Sequence, residues 1–169
     1  MAQSVDTFKS ADLSRDRDRF LRELLRELSG VLEETIGLTE VEGFIAIVGN
    51  RIGELLNEEY LEIADVDRLN VRQVADALVD LKRRIQGGFT IESLDEEKIV
   101  LTNTACPFGD CVRGRKSLCM MTSNVFGRIT ANNLGYARVD LPETIAGGDS
   151  GCRAIVYLNE GGAGREYYG

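Results

Sequence analysis

Cys106, Cys111, Cys119 and Cys152 all lie in the second half of a chain that contains no histidine. Thiolate is the softest ligand a protein carries and imidazole its commonest companion, so a transition-metal site in this chain must be built from sulfur with carboxylate help at most. The missing histidine also removes every Ser-His and Cys-His catalytic device. Four residues separate Cys106 from Cys111, seven separate Cys111 from Cys119, and thirty-two separate Cys119 from Cys152. Three local cysteines and one remote one suit a loop folded around an ion, with the last ligand brought in from a neighbouring strand. Paired zinc ligands more often stand two residues apart. A gap of four also occurs in plant-type iron–sulfur loops, whose third cysteine comes sooner than here, so the spacing points to a metal ahead of naming one. The other readings are a redox thiol pair and small buried side chains without chemistry. Glu143 is a candidate replacement ligand or a group that supports the ligands, and Arg113, Arg115 and Lys116 would offset surplus thiolate charge.

Other strings carry less. Gly148-Asp-Ser-Gly151 resembles the surroundings of a serine nucleophile, but without a histidine base it reads as a tight turn between strands. Asp110, Glu143 and Asp149 show no spacing that marks a general acid and base, so no enzyme is expected. Gly49 and Gly53, one helical turn apart, mark the close approach of a backbone or a ligand, and with Met121 and Phe126 they outline an apolar ligand pocket. Tight helix packing is the simpler account of the two glycines, and core placement that of Met121 and Phe126.

The elements that must position these residues follow from periodicity. Phe20, Leu21, Leu24, Leu25, Leu28, Val31 and Leu32 recur at steps of three and four, which predicts an amphipathic helix from Ser14 to about Gly37. A second helix starts after Thr39 as N-cap. A third, Val71 to Gln86, is capped by Asn70 and carries Val74, Ala75, Leu78, Leu81, Lys82 and Ile85 on one stripe. The period then shortens to two: residues 89–94 and 98–104 read as a hairpin, residues 136–141 and 152–158 as strands, and residues 117–133 as a helix between them. The fold class is α+β, with amphipathic helices first and an antiparallel sheet interrupted by one helix, carrying the cysteine-rich loop. The expected organisation is a flexible N-terminus over 1–14, one domain over 15–158 (helical to 86, sheet and cysteine site from 87), and a flexible tail over 159–169.

Composition limits the partners. A formal net charge of −8 speaks against nucleic acid and anionic membrane. The longest apolar run, Gly43 to Gly49, is too short to span a bilayer, and residues 1–14 have no secretory pattern, so a cytoplasmic location is expected, where cysteines favour thiol or metal over disulfide.

Several segments together are similar to a known family. Residues 117–127, Gly135-Tyr-Ala-Arg-Val139, Glu143 and Ala146-Gly-Gly-Asp-Ser-Gly-Cys152 resemble the four-vinyl reductase type of ligand-binding domain. More closely they resemble the methanogen output domain, a likeness that Cys106-Pro-Phe-Gly109, Gly49, Arg51-Ile-Gly53 and residues 82–87 share. The resemblance implies a sensory module that binds a small hydrophobic molecule beside a zinc held by cysteines and a glutamate. It places Cys119, Glu143 and Cys152 at ligand positions and departs at Ala146, where the zinc-binding relatives have cysteine; Cys106 and Cys111 would make up the deficit. The function expected is therefore a non-enzymatic regulatory module with a cysteine-ligated metal, zinc ahead of an iron–sulfur cluster. It would act through a signalling partner protein and form a homodimer through the N-terminal helices, although burial of helix one against its own domain fits the pattern equally. An iron–sulfur or thiol redox sensor and an interaction scaffold with structural zinc are the alternatives.

Overall fold

The computed structural model describes residues 15–169; the N-terminal segment expected to be flexible lies outside them. Helix α1, Arg17–Ile36, is capped by Asp16, whose carboxylate accepts the Arg19 amide at 2.7 Å. Gly37, at φ 88°, is the whole connection to α2, Leu38–Ala64. Thr39 therefore lies inside α2 and does not cap it. Helix α3, Val71–Arg84, opens with the Asn70–Gln73 capping box. The hairpin of β1 (Thr90–Leu94) and β2 (Lys98–Asn103) turns on Asp95, whose carboxylate accepts the amides of Glu97 and Lys98. Helix α4, Cys119–Leu134, ends at Gly135 and feeds β3, Tyr136–Glu143. Two further strands follow, β4 (Cys152–Tyr157) and β5 (Arg165–Tyr168). The sheet order is β1-β2-β4-β3-β5 and every pairing is antiparallel. This is the α+β arrangement expected from the change of period.

The C-terminal segment corrects the expectation of a loose tail. Arg165–Tyr168 adds to the sheet beside β3, and Tyr167 is buried with its hydroxyl 2.8 Å from that of Ser123 on α4. Backbone pairing with a strand edge and one buried ring hold a segment whose own apolar content is low. Gly127 of α4 makes room for that ring, because a Cβ there would overlap it.

Helix α4 is the centre of the molecule. One side faces the sheet, where Phe126 and Ile129 join Leu78, Ile99, Leu101 and Val156 in the core. The other side meets α2 through its smallest residues: a Cβ on Gly49 would stand 2.7 Å from Asn124 Cβ, and one on Gly53 2.8 Å from Arg128 Cβ. Asn133 ties the layers together, accepting the Leu69 amide at 2.7 Å and donating to Asn57 on α2 at 2.5 Å. Among the described residues no helix is long and apolar enough to cross a membrane.

Candidate sensory site with three thiols and a buried lysine

Three elements deliver three of the four cysteines to one cavity. Cys106 lies in the loop after β2, Cys119 is the first residue of α4, and Cys152 opens β4 in register with Asn103. Asn103 organises the corner: its carbonyl oxygen accepts the Cys152 amide at 2.9 Å, and its amide donates to the carbonyls of Gly87 and Ala105 at 2.9 and 2.6 Å. All four cysteines are free. The cavity that Cys106, Cys119 and Cys152 share with Phe108, Leu118 and Thr122 has a volume of about 30 Å3, room for an ion or a few waters but not for an organic ligand.

Cys111 is not part of it. The 3-10 turn of residues 109–112 carries Cys111 to the surface beside α1, next to Arg26 and Glu27. Glu143 is exposed at the end of β3, in register with Arg153. Ala146 is buried in a small apolar cluster against which Cys106, Cys119 and Cys152 pack. Cys111 and Glu143 therefore stand apart from the cavity that the other three cysteines line. Among the described residues no group of three or more Cys, Asp or Glu side chains is already drawn together to hold an ion.

The electrostatics also depart from expectation. Although Cys119 opens α4, burial dominates and, with Cys152 and Cys106 as like-charged neighbours, pushes its pKa up to about 12. Burial raises Cys106 too, against the amides of Phe108 and Gly109. At Cys106 and Cys119 burial thus favours the neutral thiol over the thiolate. Arg113 pairs with Asp110 at 3.4 Å and Arg115 faces Glu33 of α1 at 3.8 Å, so these cations serve the loop and α1.

The cation at the thiols is Lys82, which is 5% exposed. Its Nζ donates to Thr122 Oγ1 at 2.7 Å and lies 5.5 and 5.1 Å from the ring centres of Phe89 and Phe126. Burial lowers its pKa to about 8, opposed by the neighbouring Cys106, Cys152 and Cys119. Sequence reasoning placed Lys82 on the apolar stripe of α3 and passed over it; a lysine within such a stripe was the available signal.

The expected ligand pocket divides. Gly49 and Gly53 are filled by α4, and Phe126 is fully buried in the core. Met121 lines an apolar groove of about 220 Å3 between α1, α2 and α4, with Leu28, Leu32, Phe44 and Val48. Phe108 and Leu118 belong to both linings and form the wall between groove and thiol cavity. The Gly148-Asp-Ser-Gly151 string is a turn, in which Asp149 accepts the Thr144 amide at 2.8 Å.

A family model described as methanogen output domain 1 matches residues 24–157. No curated protein gives a significant match. Among solved structures, the chain is similar to a trafficking protein particle complex subunit 3 from Naegleria fowleri, described as covalently bound to palmitic acid. The TM-score is 0.58 at 13% identity, with 84% of this chain and 97% of that one covered. At that identity the likeness is one of fold.

Proposed function

We propose that this chain, which belongs to the methanogen output domain 1 family, is a non-enzymatic regulatory sensing module. Its input is a thiophilic divalent ion taken up by Cys106, Cys119 and Cys152, and its output is a change at the N-terminal helices. The observation that carries this reading is the meeting of three thiols from a loop, a helix and a strand around a cavity of ion size. Buried neutral thiols react slowly with oxidants, because the thiolate is the reactive form, whereas a thiophilic ion displaces their protons. Zinc fits this donor set better than an iron–sulfur cluster, which requires four ligands and more room. Three thiolates and a divalent ion leave one negative charge, which the Lys82 ammonium would neutralise.

The loop that carries Cys106 is also the seat of α1. Arg26 donates to the carbonyls of Cys111 and Arg113, each at 2.7 Å, and Glu33 accepts the hydroxyl of Ser117. Because the thiols line the cavity without forming a ligand set, an ion gains by drawing them in, which strains the loop under α1 and biases the contacts that helix makes.

Titration of the reduced, metal-free protein with Cd2+, followed by the sulfur-to-cadmium charge-transfer band, tests the reading. We expect one ion per chain, binding weakened at least tenfold in Cys106→Ser, Cys119→Ser and Cys152→Ser, and unchanged binding in Cys111→Ser. An equal loss in Cys111→Ser, or no band at all, would overturn it.

A second reading is favoured by the groove. Its lining is almost wholly hydrocarbon, and the structurally similar protein is described as holding palmitic acid, so a small hydrophobic molecule between α1, α2 and α4 would be the input or a co-input. Displacement of a fluorescent fatty-acid reporter, abolished in Met121→Asp, would support it.

A further inference from the structure

Amphipathic helices of globular proteins bury the apolar stripe and leave charge outside. Helix α1 is seated the other way round. Its buried residues are Ser29 and Gly30, and its hold on the cysteine loop runs through Arg26 and Glu33. Phe20, Leu24, Leu28 and Val31 point outward, each between 50% and 58% exposed. Helix α2 buries Val41, Ala46, Gly49, Gly53 and Asn57, yet also turns an apolar stripe outward: Phe44, Ile47, Val48, Ile52 and Leu55 are between 37% and 61% exposed. The two stripes meet across the groove, where Leu28 lies with Phe44 and Val48.

With Leu21, about ten large side chains each leave roughly half their surface uncovered, an apolar face on the order of 1,000 Å2. The largest patch on a typical monomer is about 300–600 Å2, and each partner in a stable interface contributes about 800 Å2. The bordering charges are of both signs, Glu27 and Glu34 on α1 and Arg51 on α2, all exposed. An antiparallel helix pair with a continuous stripe and mixed borders is self-complementary under a twofold rotation, which sets opposite charges against each other and buries the same residues twice. An anionic membrane would meet a chain of net charge −8.

We propose that a second copy of this chain covers the outward face of α1 and α2, the two helix pairs closing into an antiparallel four-helix bundle that roofs the groove. The proposal rests on the output half of the function above and not on the ion. Sedimentation equilibrium of the full chain, reduced and chelated, should give twice the monomer mass at micromolar concentration. Leu24→Glu and Leu55→Glu should each give monomer with unchanged far-ultraviolet circular dichroism, since both side chains are exposed within one copy. A wild-type monomer at tens of micromolar, whether or not it binds vesicles or another protein, would overturn the proposal, as would dimers that persist in both variants. Failure of the ion reading is seen separately, as absent Cd2+ binding in a protein that still sediments as a dimer.

Discussion

Lys82 is the group at which the site's electrostatics can be measured directly. An ammonium whose pKa falls from 10.5 to about 8 on folding carries a burial penalty of roughly 3 kcal/mol at neutral pH, at about 1.4 kcal/mol per pKa unit. Replacement by methionine keeps most of the volume and removes the charge. The loss is the hydrogen bond to Thr122 and the contacts with Phe89 and Phe126, worth about 1–2 kcal/mol together. Lys82→Met in reduced, chelated protein should therefore be more stable than wild type by about 1–2 kcal/mol at pH 7. The pH dependence separates this from ordinary packing. A depressed lysine binds fewer protons folded than unfolded between pH 8 and 10.5, so wild-type stability rises with pH in that window, by about 1 kcal/mol between pH 7 and 9. Cys119 acts oppositely: its raised pKa contributes stability in full below about pH 9 and loses it toward pH 12, which confines the comparison to pH 7–9. No histidine titrates there to confuse the slope, and the α-amino group cancels between the two proteins. Urea unfolding at pH 7, 8 and 9 measures both quantities. Equal slopes in the two proteins, or a variant less stable at pH 7, would refute a buried charged lysine. With cadmium bound the sign reverses, because the variant lacks the charge that balances the ion and its thiolates, and affinity should fall about tenfold.

Arg26→Ala removes both carbonyl contacts between α1 and the cysteine loop; amide hydrogen exchange across residues 17–36 should quicken by about ten- to a hundredfold while exchange in β2 and β4 stays unchanged, the local loss being about 1.5–3 kcal/mol for hydrogen bonds to a charged donor. Gly127→Ala places a methyl group inside the Tyr167 ring and should cost about 2–3 kcal/mol by thermal unfolding, with β5 and its tyrosine released first. Unchanged melting there would mean that β5 contributes nothing to the fold.

Periodicity made most of the architecture readable before any coordinates. Val74, Leu78 and Leu81 on one stripe, the Asn70 cap and the two short runs of the 89–104 hairpin are local signals, and the elements they mark form where expected. The Thr39 cap failed because a single glycine joins α1 to α2 with no room for a separate capping residue. The strand β5 was missed because half of what holds it, the edge of β3 and the space above Gly127, belongs to other parts of the chain.

At the site the division is sharper. The chain's composition by itself pointed any transition-metal site to sulfur with carboxylate help at most, and it nominated the four cysteines that could supply it. Only the tertiary structure decided that three of them line one cavity, that Cys111 lies beside α1 instead, and that the attending cation is Lys82 and not the arginines of the loop. The same holds for α1: its stripe was plain in the sequence, its direction was not. Local sequence fixes the period of an element and where it stops, through hydrogen bonds and rotamer preferences within a few residues. Which face turns inward depends on surfaces brought together from far along the chain or from another chain, and an apolar stripe is satisfied equally by either.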